Sequence, residues 1–134
     1  MTDRLFTPAE VNGLIPRLAE MMERAMERHQ QATELQERLR DEQSRIHASG
    51  GGHIDQRDWK ARAERLDGLT IEVREGLKEI LALGGVTKDL EMGLVDFPGL
   101  VGDETVNLCW KYGETELRFW HGLDEGYGQR KPLP

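Results

Sequence analysis

Apolar residues along the first third of the chain recur in alternating steps of three and four. Val11, Leu14, Leu18, Met21 and Ala25 lead on to Ala32, Leu35, Leu39 and Ile46, with Arg28 and Glu42 interrupting the series. A stripe that repeats every seven residues predicts a long amphipathic helix of coiled-coil type. Its start is written in Thr7-Pro8-Ala9-Glu10. Thr7 caps, Pro8 brings a preset φ where no N–H is needed, and Glu10 returns a bond to the amide of the cap. Phe6 and Val11 flank this box as a hydrophobic staple. Pro16 removes one helical hydrogen-bond donor, so a kink is expected beside Gly13. At 1.5 Å per residue the helix would extend about 60 Å before fading near His47.

Residues 47–54, with three successive glycines, read as a connecting loop. Asp55 then caps a second helix, with Ile54 and Trp59 as its staple. Its stripe runs through Trp59, Ala63, Leu66 and Thr70 to Val73, Leu77 and Ile80, and Gly84-Gly85 supplies a left-handed stop. Neither stripe can bury its apolar face alone, so the two helices are expected to fold into an antiparallel hairpin spanning 7–84. A two-helix hairpin is thin, and pairing of two copies through the helices into a four-helix bundle would cover the remaining apolar edge. A homodimer is therefore expected.

From Val86 the pattern changes. Val106, Leu108 and Trp110 alternate with Asn107, Cys109 and Lys111, and Leu117, Phe119 and His121 alternate with Arg118 and Trp120. Period two predicts two strands, with residues 112–115 as the hairpin turn and a further strand within 86–95. The β module covers 86–127, and 128–134 reads as an irregular tail. The fold class is α+β: a long antiparallel two-helix hairpin followed by a small antiparallel β-sheet, one domain over 1–134.

Composition narrows the partners. Among 134 residues, 37% are hydrophobic and 32% charged, with a formal net charge of −7. Basic residues alternate with acidic ones along the helices, which disfavours nucleic acid and anionic membrane alike. No stretch approaches the roughly 18 apolar residues of a membrane span, and the N-terminus has no basic-then-apolar leader. A lone Cys109 cannot close an internal disulfide, which fits a cytoplasmic protein.

Several unusual strings occur in a fixed order. Residues 6–16, from Phe6-Thr7-Pro8-Ala9-Glu10 to Leu14-Ile15-Pro16, are followed by Lys88-Asp89-Leu90-Glu91-Met92-Gly93-Leu94-Val95-Asp96-Phe97-Pro98. Leu108-Cys109-Trp110 and Trp120-His121-Gly122-Leu123-Asp124-Glu125-Gly126-Tyr127 complete the set. Together they resemble a bacterial family catalogued as domain of unknown function 2203, over nearly the whole chain. The resemblance implies no activity; it marks the segments 91–98 and 120–127 as the family's distinctive ones.

Those two segments also carry the candidate chemistry. His121 stands near Asp124 and Glu125, and Asp96 near Glu91. Brought together across a small sheet, one imidazole and several carboxylates make a mixed nitrogen and oxygen site for zinc, manganese, iron or nickel. Asp96 and His121 are its first candidates. The plainer reading makes 96–99 and 124–126 turns and gives His121 a backbone carbonyl. A second grouping, His47, His53 and Asp55, lies in a loop too flexible to hold a site ready, about 40 Å of helix from the β module. Nothing in the sequence marks a base and charge environment that would activate Cys109, whose strand face also carries Asn107 and Lys111, and it reads as a packed thiol. No G-x-S-x-G or phosphate-binding loop occurs. Two function classes stay open: a binder of a divalent metal or small polar ligand, with or without catalysis, and an oligomeric protein-interaction module.

Overall fold

The computed structural model describes residues 4–48, 50 and 55–134. Helix α1 runs from Pro8 to Ala48 and α2 from Gln56 to Leu83. The reciprocal box is formed at the start of α1. The Thr7 amide donates to Glu10 Oε1 at 2.9 Å, and the Glu10 amide donates to Thr7 Oγ1 at 3.2 Å. Asp55 caps α2, its Oδ1 accepting from the amides of Arg57 and Asp58, both at 3.1 Å. Ile54 and His53 lie outside the described residues.

Helix α1 continues through Pro16 as one element. Pro16 is exposed, while Ile15 and Leu18 on either side are anchored in the core and hold the helix together across the missing donor. The buried residues at this end are Val11, Ile15, Leu18, Met22 and Ala25. Leu14 and Met21, expected in the seam, flank it half-buried. Val11, Leu18 and Ala25 keep their expected places, while Ile15 and Met22 take over from Leu14 and Met21 because this half of α1 packs on the sheet as well as on α2. Farther out the hairpin is thinner, and of the apolar residues there only Leu39 and Leu69 are buried.

Helix α2 ends at Gly84, whose φ of +108° is a left-handed stop. The amides of Gly84 and Gly85 return to the carbonyls of Leu81 and Ile80. The chain then enters a five-stranded antiparallel meander in sequential order: β1 (Val86–Asp89), β2 (Leu94–Val101), β3 (Glu104–Lys111), β4 (Phe119–His121) and β5 (Lys131–Pro132).

Three features differ from expectation. Two strands, β1 and the start of β2, occupy 86–95. Asp89 Oδ1 takes the amides of Glu91 and Met92 in the turn between them, and Gly93 supplies a positive φ of 73°. Asp96 to Gly99 therefore lies within β2 and is not a turn. Pro98 is accommodated because β1 pairs only as far as Asp96, leaving the nitrogen of Pro98 on an open edge. Phe6 fills that edge: its amide donates to the Pro98 carbonyl at 2.8 Å, and its carbonyl accepts from Leu100 at 3.1 Å.

Strand β4 begins only at Phe119. Leu117 stands before it, its amide held by Asn12 Oδ1 of α1 at 2.7 Å. The tail after Gly126 is ordered, with a short 3-10 turn over Tyr127–Gln129 followed by β5, which pairs with β4.

One face of the sheet meets the helices. Val95, Phe97, Val106, Leu108 and Trp110 pack with Phe6, Val11, Leu18, Met22 and Ile80 into one core. Among the described residues, no helix is long and apolar enough to cross a membrane.

Candidate metal centre

The other face of the sheet carries the chemistry, and the register puts it there. Asp96 on β2 pairs with Cys109 on β3, while Asn107, two residues away on β3, pairs with His121 on β4. Directly paired residues share a face, as do residues two apart on one strand. Asp96, Cys109 and His121 therefore lie side by side on three adjacent strands, on the face opposite Val95, Leu108 and Trp110.

Such a face would be wet if left open. The chain after β4 folds back over it and is pinned at several points. Glu125 Oε1 accepts from the Gly122 amide at 2.7 Å and from Lys131 Nζ at 2.5 Å. Arg130 bonds both Glu114 oxygens at 2.8 Å and the Cys109 carbonyl at 3.2 Å, with its guanidinium 4.1 Å from the Phe119 ring centre. Under this cover Asp96, Cys109 and His121 retain only 4%, 1% and 2% of their exposure.

The histidine is held at both nitrogens. Nδ1 lies 2.9 Å from the Gly122 carbonyl, and Nε2 lies 3.1 Å from each oxygen of Asp96. A carbonyl can only accept, so Nδ1 carries a hydrogen. Nε2 then points at a carboxylate, and either a proton or a metal cation must stand between the two. One potential ligand atom from each of Asp96, Cys109 and His121 lies within 4.8 Å of the other two. Burial, and secondarily the Asp96 carboxylate, push the Cys109 thiol up to about 12. Without a cation the group is a neutral thiol, which does not act as a nucleophile.

A cavity of about 170 Å³ opens beside the trio, with Lys88, Asn107, Leu123, Glu125 and Tyr127 in its walls. A larger depression of about 740 Å³ lies between the start of α1 and the C-terminus. Its charged residues, Glu116 and Arg118, are exposed and 3.8 Å apart, and it holds no comparable ligand set.

A family model described as "Uncharacterized conserved protein (DUF2203)" matches residues 4–133. The chain belongs to this family. No curated protein and no solved structure matches it. Its membership in DUF2203 brings no reaction with it, and the chemistry rests on the geometry alone.

The structure unites the two leading candidates, Asp96 and His121. Glu125 is at the cavity wall, committed to Lys131 and the Gly122 amide, which hold its carboxyl below the usual range in that order. Glu91 is exposed in the turn between β1 and β2 and faces Met26 and His29 in a separate depression. Asp124 is exposed and does not line the cavity. His47 is exposed at the end of α1, and Asp55 is spent on capping α2. Cys109 is the residue that sequence reasoning passed over. Its alternation with Leu108 and Trp110 did place it on the non-core face, but the pairing with Asp96 is a register between strands.

Proposed function

We propose that this protein binds a divalent transition metal through Asp96, Cys109 and His121, with zinc as the best match. The observation that carries the reading is the position of His121. Its Nδ1–H is bound to a backbone carbonyl, the usual outer-shell arrangement of a metal-ligating histidine, its Nε2 faces the Asp96 carboxylate, and the Cys109 thiol belongs to the same group of ligand atoms within 4.8 Å of one another. Thiolate and imidazole together favour zinc over manganese, with iron and nickel next. Three protein ligands leave a fourth position for water or a small ligand, which is the pattern of zinc sites that do more than brace a fold. Binding releases protons, because the Cys109 thiol must ionise and the cation replaces whatever proton Nε2 shares with Asp96.

Elemental analysis of the full chain, purified without chelators, tests the reading. Near-stoichiometric zinc that disappears in both Cys109→Ala and His121→Ala supports it. Cobalt(II) substitution adds a check on the ligands: a thiolate-to-metal charge-transfer band is expected in the wild type and not in Cys109→Ala. Protein that takes up neither metal, while circular dichroism shows it folded, refutes the proposal and leaves Asp96 and His121 as a buried brace between strands.

The distal hairpin supports a second reading beside the first, self-association through the helices. Leu35, Trp59 and Leu66 remain half-exposed there, and only Leu39 and Leu69 are buried. A second copy packed antiparallel would complete a four-helix bundle. Sedimentation of the wild type and of Leu35→Glu distinguishes the cases, a dimer that becomes a helical monomer being the supporting result. The net charge of −7 argues against nucleic acid as a partner, and a reducing compartment such as the cytoplasm suits the free Cys109.

A further inference from the structure

We infer that the open position of the metal centre receives a short-chain monocarboxylate, gripped by Lys88 and seated against Leu123 and Tyr127. The inference rests on the metal reading above and specifies what that site takes.

Lys88 is placed by an irregularity in the sheet. Thr87 pairs with Val95 and Asp89 with Leu94, so the register shifts between them and Lys88 has no residue opposite. Such a bulge re-aims the extra side chain, and bulges recur beside functional sites. Here the extra residue lines the cavity together with Asp96, Cys109 and His121. Among the described residues, the Lys88 amine, the Asn107 carboxamide and the Tyr127 hydroxyl make no hydrogen bond to protein, although every other charged side chain in the cavity wall is engaged. Glu125 is neutralised by Lys131, and Asp96 faces His121.

Charge selects the ligand. A dication is balanced by the Asp96 carboxylate and the Cys109 thiolate, and Glu125 and Lys131 cancel. Lys111, 5.5 Å from the Tyr127 ring centre, stands outside the wall, and among the side chains of the cavity wall one positive charge remains, that of Lys88. A monoanion satisfies it, whereas a phosphate dianion brings one charge too many into a protein that is already negative. Size limits the rest. A volume of about 170 Å³ holds roughly six groups of water size at ~30 Å³ each. Leu123, 59% exposed, and Tyr127, 38% exposed, offer an apolar wall at the mouth for a short hydrocarbon tail. A carboxylate with three or four carbons uses all these features: one oxygen on the metal, the other toward Lys88 and Asn107, the tail along Leu123.

The test uses the cobalt(II)-loaded full chain, whose visible d–d bands respond to an incoming ligand. Titration with butanoate is expected to shift those bands saturably, and the neutral butanamide to shift them not at all. In Lys88→Met, butanoate affinity should fall ten-fold or more while cobalt affinity is unchanged. Lys78→Met, which alters a lysine on α2 away from the cavity, should bind butanoate as the wild type does. Equal responses to butanoate and butanamide overturn the inference, as does an unchanged affinity in Lys88→Met or tighter binding of inorganic phosphate than of butanoate. Failure of the wild type to take up cobalt refutes the metal reading, and the carboxylate inference falls with it.

Discussion

Replacing Asp96 by Asn separates a metal ligand from a structural brace, because the two roles respond on different axes. The side chains of Asp96 and His121 are only 6% and 3% exposed, so solvent does little to compensate for a change in either. With His121 Nδ1–H fixed on the Gly122 carbonyl, an Asn amide can turn its N–H₂ toward Nε2 and donate to the lone pair there. A charge-assisted contact becomes a neutral one, at a cost of about 1–2 kcal/mol. Unfolding entropy of about 2.1 cal/mol/K for each of 134 residues gives about 0.28 kcal/mol/K for the chain. The metal-free variant should therefore melt about 4–7 °C below the wild type. Zinc at a hundred-fold excess over its Kd should add about 2.7 kcal/mol to the wild type, raising Tm by about 10 °C. The amide, a far poorer ligand than the carboxylate, should forfeit most of that rise. Scanning calorimetry with EDTA and with excess zinc gives all four values. A wild-type Tm indifferent to zinc, or a variant that rises as far as the wild type, would refute the reasoning.

Three further outcomes follow from the same structure. In metal-free protein the buried Cys109 thiol keeps its proton up to about 12, while the unfolded thiol loses it near ~8.5. Its contribution is whole below the lower value and declines as pH rises toward the upper one. Relative to pH 7.5, urea unfolding at pH 10 should show a loss of about 2 kcal/mol that is missing in Cys109→Ala. Gly84→Ala should cost about 2–5 kcal/mol by the same measurement. It places a Cβ at a φ of +108° and against the Phe6 ring, combining left-handed strain with overpacking. Thr7→Ala should cost about 1 kcal/mol through loss of the cap. Glu10 is held below its usual range chiefly by the amide of residue 7, a main-chain group that the variant keeps, so the difference between variant and wild type should be nearly the same in calorimetry at pH 7 and at pH 3.

Much of the architecture could be read from local signals, since helix starts and stops are decided within a few residues. Thr7 with Glu10, Asp55 and Gly84 each act on amides or carbonyls no more than four positions away. Strand β2 was harder to read for the opposite reason. Pro98 inside it suggests a break, and the proline is harmless there only because β1 stops pairing at Asp96, an edge that Phe6, some ninety positions earlier, then covers without needing the Pro98 nitrogen. The C-terminal strand pairs through just two residues, too short a run for any period to show. Within the centre, Asp96 and His121 stood out as polar residues in otherwise distinctive strings, whereas Cys109 did not. A thiol looks the same in a sequence whether it fills a core or faces a carboxylate, and the difference is made by its neighbour on the next strand. Glu91 and Asp124 were drawn into the candidate set by nearness along the chain, which turns readily undo.

The Phe6 bridge and the Asn12 contact have a consequence for how the chain reaches this structure. Each helix forms from contacts within itself, the hairpin closes over a short loop, and the meander joins only successive strands. The N-terminal segment is different: Asn12 meets Leu117 across 105 positions. Closing so wide a loop costs more entropy than any other pairing here, and the cost is recovered only once both partners are in place. Docking of residues 6–12 onto the sheet should then be a late event in folding. Substitutions at Phe6 or Asn12 would chiefly speed unfolding, leaving the rate of collapse almost untouched.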